Sequence, residues 1–307
     1  MNKIVESIIL LLVLSACQEA PVGEPFYSST TSEPKILVSQ ILAGGESISL
    51  YDIDGNLISL VADFAILNFD PDGLAVVNDE EFYVTLDGTD QIRKMNLSGE
   101  VLQTITNTNF SGNLLKMAKL GEELFATEGN FIESFSTSGS RIGNPRIGTT
   151  IGGCVLSTPY AIITTPENYL ITVGTGNDRI NVYDVSDPGN TLCVDSDATL
   201  GNVNPTAILL HSNGDLYIAT QTDDAIYRYS YSAGTIGAGA LLYQPGTTIL
   251  NNPTEMIELP DGSIIIASDG TNNIIQIDED GNLLNSAFIQ STFTGQVGQM
   301  VIIGGSN

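Results

Sequence analysis

The chain has 307 residues, 42% of them hydrophobic, with 31 Gly, 12 Pro, no Trp and a single His. That apolar content can build a full core and excludes bulk disorder, and one His excludes a three-His zinc site. Ten Lys and Arg against 36 Asp and Glu give a formal net charge of −26, which repels phosphate backbones and anionic membrane surfaces and excludes nucleic-acid partners.

Residues 1–16 carry one Lys, an apolar run from Ile8 to Leu14 and then small residues. This pattern predicts a secretory signal peptide, too short for a mature transmembrane helix. The sequence Leu14-Ser15-Ala16-Cys17 resembles the bacterial lipobox. That resemblance implies that Cys17 becomes the lipidated first residue, and Gln18 in place of Asp implies the outer membrane. An ordinary signal peptide with a coincidental Cys is the other reading. Acyl chains on one residue anchor stably, at about 0.8 kcal/mol per buried methylene. The Ser, Thr, Pro and Glu of residues 19–35 read as a flexible tether, so residues 17–35 form an anchor and spacer and 36–307 the folded domain.

From residue 36 the chain is periodic. Five copies cover residues 70–100, 112–140, 158–189, 204–234 and 252–281, aligned on Pro71, Asn113, Pro159, Pro205 and Pro253 at steps of 42, 46, 46 and 48. In each, the next apolar run starts eleven residues later, at Phe82, Leu124, Leu170, Leu216 and Ile264. Every copy reads as a short apolar strand, a tight turn, a strongly apolar strand, a polar loop, an alternating strand, a second turn and a weaker outer strand. Four antiparallel strands in about 45 residues is the blade of a β-propeller. Residues 36–40 and 47–59 match the second and third strands of a further blade, and Gln299 to Ile303 match a first strand with no blade of its own. The expectation is an all-β, six-bladed propeller in which the C-terminal strand pairs beside Ile36–Gln40 and closes the ring.

VGTGNDRINVYD (173–184) and the NP…DG…IAS…GTNNIIQID pattern of 252–278 resemble NHL-type repeats and the wider six-bladed group of gluconolactonase and senescence-marker proteins. The resemblance spans about residues 36–304 and speaks for architecture far more than for activity.

Loops between second and third strands share one face with the inter-blade connections. This places Asp87, Asp90, Glu128, Asp178, Asp223, Asp224 and Asp269 around one rim, with Asp70 on a neighbouring connection. After Arg228 no cationic residue follows, while seven acids do. The rim reads either as a negative funnel for a basic partner or cation, or as the ordinary preference of turns for Asp in an acidic protein. At the channel mouth, Glu255 and Gln299 take positions held elsewhere by Gly73, Leu115, Ala161 and Ala207, with Asn252 and Asn204 just before those strands. Glu, Asn and Gln oxygens suit Ca2+. They are similar to the metal site of the lactonase-like group, although the Glu-Gly-Pro opening and a matching catalytic Asp are missing. A solvated rim with capping amides is the alternative.

Other motifs carry less. The Asp52–Asn56 and Asp278–Asn282 stretches lack the Gly position and distal Glu of a calcium loop and read as hairpin turns. His211 takes a tight-turn position, facing solvent and far from the channel mouth, and is no catalytic base. No Gly-x-Ser-x-Gly elbow occurs, and Gly234–Gly239 reads as a hairpin connection. Cys154 and Cys193, an even pair in an oxidising compartment, favour a disulfide, with two small buried thiols as the alternative. Together these features point to a monomeric outer-membrane lipoprotein, facing periplasm or medium, that binds a protein or peptide without catalysis. A divalent-metal lactonase-like hydrolase is the second reading. A sugar-binding lectin is a third, weakened by the missing Trp.

Overall fold

Alternating and continuous apolar runs of five to seven residues become the strands of a ring of blades in the computed structural model. It describes residues 32–305 apart from 42–45, 66–68, 90, 107–113, 144, 199, 202 and 290–295. The signal segment, Cys17 and Asp90 lie outside the described residues. Among the described residues no helix is long and apolar enough to cross a membrane.

Blade 1 holds β1 (Lys35–Gln40), β2 (Ser47–Asp52) and β3 (Leu57–Asp63), and blade 2 holds β4 (Asp70–Val76), β5 (Glu81–Asp87), β6 (Gln91–Asn96) and β7 (Val101–Thr106). Blade 3 has β8 (Leu114–Leu120), β9 (Glu123–Glu128) and β10 (Phe131–Ser136), followed by the small hairpin β11 (Thr150–Ile151) and β12 (Cys154–Val155). Blade 4 is β13 (Pro159–Thr164) to β16 (Leu192–Asp197), through β14 (Tyr169–Gly174) and β15 (Arg179–Asp184). Blade 5 is β17 (Pro205–Leu210), β18 (Leu216–Thr220), β19 (Ala225–Ser232) and β20 (Thr235–Tyr243). Blade 6 is β21 (Pro253–Glu258), β22 (Ile264–Ser268), β23 (Asn273–Ile277) and β24 (Leu283–Ile289). The last strand, β25 (Val297–Ile303), pairs antiparallel with β1 from Lys35–Ile303 to Gln40–Val297. The ring therefore closes with the C-terminal strand innermost in blade 1, as expected.

Second strands such as β22 are buried along their whole length, because neighbouring blades cover both faces. Outer strands such as β7 are mostly exposed, which is why their pattern is weaker. Blade 3 departs from the others: its sheet has three strands. Residues 137–149, with Gly139, Gly143, Pro145 and Gly148, make only isolated bridges, Phe135–Arg141 and Ile132–Ile147, because Pro and Gly oppose a regular ladder. Other ties hold this segment. The Arg146 guanidinium donates to Glu123, Thr191 and the carbonyls of Val185 and Asp187. Cys154 in β12 is bridged to Cys193 in β16, with the Cα atoms 5.5 Å apart.

The two calcium-like stretches are turns. One Asp52 oxygen accepts from the N–H groups of Asp54 and Asn56 at 3.0 and 2.8 Å, and Asp278 repeats the arrangement with Asp280 and Asn282 at 3.1 and 2.7 Å. The turn glycine has a second reason: a Cβ on Gly55 would lie 2.3 Å from the Phe288 carbonyl oxygen of the preceding blade. His211 differs from expectation. It is buried rather than facing solvent, donating from Nε2 to the Gly262 carbonyl at 2.9 Å and accepting the Asn213 N–H at Nδ1. Its turn packs against the corresponding turn of blade 6, which covers the ring.

Candidate binding site at the channel mouth

All six inner strands carry an irregularity at the start of their pairing, which aims one residue of each, two after Pro71, Leu114, Pro159, Pro205, Pro253 and Val297, toward the axis. Strand pairing makes Gly73, Lys116, Ala161, Ala207, Glu255 and Gln299 equivalent. The sequence alignment put Leu115 in the second of these places, and the pairing corrects it by one residue. In blade 3, Leu114 faces Glu128 as Pro253 faces Ser268 in blade 6. Its hairpin pairs Leu120 directly with Glu123, one residue shorter than in the other copies. Asn113, the residue used for alignment, lies outside the described residues.

The correction brings a lysine to the mouth. Blades 3 and 6 are opposite in the ring, and Lys116 Nζ donates across the axis to Glu255 Oε2 at 2.9 Å. Both side chains are buried, at 2% and 8% exposure. Nζ also lies 5.7 Å from the centre of the Tyr160 ring. Gly73 lets the next inner strand approach closely: a Cβ there would come 2.3 Å from the Leu115 carbonyl oxygen. Gln299 ties the two strands together. Its Oε1 accepts the bulge N–H groups of Leu74 and Met117 at 2.8 and 3.0 Å, and its Nε2 donates to the Met117 carbonyl at 2.9 Å. Below this layer a cavity of about 400 Å³ runs between aliphatic side chains of all six inner strands, including Ile162, Ile208, Met256 and Met300.

Two more carboxylates lie near the lysine. Asp72 is 5% exposed, and its Oδ1 has no hydrogen-bond partner. Asp269 accepts the Val297 N–H and the Thr254 hydroxyl at Oδ1, while its Oδ2 has none. Burial raises the Asp72 pKa to about 6, with Lys116 opposing, and raises Asp269 to about 6 against its hydrogen bonds. Burial also raises Glu255, again opposed by Lys116, and pushes Tyr160 up to about 12. Burial opposes the charge on Lys116, but the carboxylates of Glu255 and Asp72 raise its pKa overall.

These shifts make a pH prediction. An acid whose folded pKa is raised keeps its proton longer folded than unfolded, so the folded state binds more protons between the two values. Its stabilising contribution is complete below the ordinary 3.8 of Asp72 and is lost as pH rises through about 6. Asp72→Asn should flatten the fall in stability between pH 4 and 6.5 and stabilise the protein at pH 7.5 by up to about 3 kcal/mol. Urea midpoints of the two proteins at four pH values check this; parallel pH curves would rule it out.

The expected metal donors do not converge on an ion. The Glu255 carboxylate is paired with Lys116, and the Gln299 amide is tied to backbone. Asn204 and Asn252 adopt left-handed backbone (φ 55° and 54°) at the joints between blades. The Asn204 amide donates to Gln221 at 2.9 Å. Among the described residues no group of three or more His, Cys, Asp or Glu could hold a metal ion. The donor set does not fit Ca2+.

The structure gives most of the acidic loop residues a local task. Asp178 Oδ1 accepts the Asn204 N–H at 2.7 Å and Asp224 Oδ1 the Asn252 N–H at 2.6 Å; with Asp269 and Val297, each clasps the start of the next blade. Asp223 accepts from the Thr220 and Tyr227 hydroxyls at 2.5 and 2.6 Å. Glu128 is buried at the end of β9, not exposed on a rim. Asp87 is half-buried and pairs across the ladder with Asp70. Asp178, Asp223 and Asp224 are held by N–H and hydroxyl donors, which carry no charge.

No protein-family profile matches the chain, and no curated protein does. Solved structures match the fold. The nidogen/laminin complex contains a chain with TM-score 0.69 and 18% identity, covering 88% of this chain and 98% of that one. A putative 6-phosphogluconolactonase from Bacteroides uniformis matches with TM-score 0.63 and 14% identity, over 89% and 100%. Virginiamycin B lyase from Staphylococcus aureus matches with TM-score 0.53 and 17% identity, over 82% and 73%. At these identities the likeness is one of fold, a six-bladed β-propeller.

Proposed function

We propose that this chain is a lipid-anchored, extracytoplasmic propeller of the bacterial outer membrane that binds a basic protein or peptide segment without catalysis, through the face carrying Asp70, Asp87, Asp178 and Asp224. One observation carries the preference over a metal-dependent lactonase. The carboxylate best placed to hold a catalytic metal is neutralised by the protein's own Lys116 at 2.9 Å. Asp178 and Asp224 are clasped to the blades that follow them, which holds these acids in place as surface charge rather than as reactive groups. The matching chain of the nidogen/laminin complex is an example of this fold within a protein complex.

The test uses a fluorescent deca-lysine peptide and anisotropy. Binding should weaken steeply between 50 and 200 mM NaCl, as expected for screened surface charge. Asp70→Asn with Asp87→Asn should weaken it by about tenfold at low salt. Absence of binding, or binding indifferent to salt and to both substitutions, would remove the basic partner. Asp223 and Asp224 are poor sites for this test, because neutralising them also undoes contacts to Tyr227 and Asn252.

A further inference from the structure

The resemblance seen in the sequence places a metal ion at the channel mouth, and the structure puts an ammonium group there. Lys116 reaches the axis because a shortened hairpin shifts it into the inward-facing bulge position of blade 3. Its Nζ lies 2.9 Å from Glu255 and 5.7 Å from the Tyr160 ring centre. Nearby, Asp72 Oδ1 and Asp269 Oδ2 are buried without a hydrogen-bond partner. Buried carboxylates gathered in this way need a positive charge among them. A metal ion added beside the ammonium would meet repulsion and would find Glu255 and Gln299 already engaged.

We infer that the Lys116 ammonium is the built-in cation of this propeller, replacing a metal ion at the channel mouth, and that removing it opens a binding site for a small external amine. The expected ligand is a primary alkylammonium: it carries the charge, has N–H groups to donate to Glu255, and fits the volume that Lys116→Ala leaves by removing three methylenes and an ammonium. The inference concerns the mouth itself and stands or falls independently of the partner proposed above.

The experiment follows thermal unfolding of the whole protein and of Lys116→Ala. In the unsubstituted protein, neither CaCl2 nor n-propylammonium chloride should move the Tm beyond the effect of equal NaCl. In Lys116→Ala the Tm should drop by roughly 6–20 °C. Propylammonium should restore at least about 5 °C of that loss saturably. Tetramethylammonium, which has no N–H to donate, should restore none. Adding Glu255→Gln to Lys116→Ala should abolish the rescue. A calcium-induced rise in the unsubstituted protein that disappears in Glu255→Gln would overturn the inference, as would a folded Lys116→Ala protein indifferent to propylammonium. If Lys116→Ala does not fold, the paired replacement Lys116→Met with Glu255→Met decides. It should fold and melt well above Lys116→Met alone, since Glu255 is then no longer left as a buried carboxylate without its partner. A double variant no better than that single one would show that the lysine only fills space.

Discussion

A chain ending at residue 296 will not reach a cooperative fold. β25 is the innermost strand of blade 1, so its loss strips β1 of a ladder partner and opens the ring. Val297, Met300 and Ile303 are each at most 4% exposed, and burying such side chains contributes about 1.5–3 kcal/mol apiece. That loss alone rivals the total stability of an ordinary domain, on the order of 5–15 kcal/mol. Polar consequences add to it. Without Gln299 the bulge N–H groups of Leu74 and Met117 lose their acceptor, and the Ser39 hydroxyl loses its bonds to the Gln299 backbone. The expected result is loss of the sharp urea transition and of near-ultraviolet dichroism, with strand content partly kept. A synthetic peptide of residues 296–305 added in trans should restore the transition. A truncated chain that unfolds as sharply as the whole protein would show that closure through β25 does not hold the ring.

Glu255→Gln should cost about 3–5 kcal/mol at pH 7, the usual penalty for leaving one member of a buried ion pair. For a domain of this size that is a Tm drop of roughly 6–20 °C. The glutamine can still accept a hydrogen bond but brings no charge, so burial would dominate at Lys116 and its folded pKa would fall below the ordinary value. The unfolded chain would then bind more protons than the folded one at alkaline pH, and stability rises with pH under that condition. The deficit of Glu255→Gln should therefore narrow from pH 7 to pH 10. In the unsubstituted protein the Lys116 pKa is raised, so its contribution is complete across that range and is lost only above it. A loss under 1 kcal/mol, or one unchanged with pH, would mean that the pair carries little of the stability.

Particular residues show where sequence reasoning reached and where it stopped. The blade count and the closing strand were legible, because a strand buried between two blades must be apolar along its length, as Ile264 to Ala267 are. The orphan strand of residues 299–303 had one open edge to fill. The Asp-Gly-Asn turns were legible from local hydrogen-bonding chemistry, two to four residues in range. Lys116 was not. Its place depends on a turn one residue shorter than its siblings, and its partner is 139 residues away in sequence. An alignment built on a constant offset of eleven hid that shortening; counting back from Glu128 instead of forward from Asn113 would have found it. Of the acids assigned to the rim, Asp178, Asp224 and Asp269 look the same in sequence whether they await a partner or clasp the next blade.

The ring and its number of blades follow from short-range alternation, turn chemistry and residue type, all of which are local to each repeat. Only the tertiary structure decided what occupies the axis. Side chains meet there from opposite blades, and which charge faces which is set by closure of the whole ring rather than by any one repeat. That is how a carboxylate resembling a metal ligand in sequence becomes half of an ion pair in the folded protein.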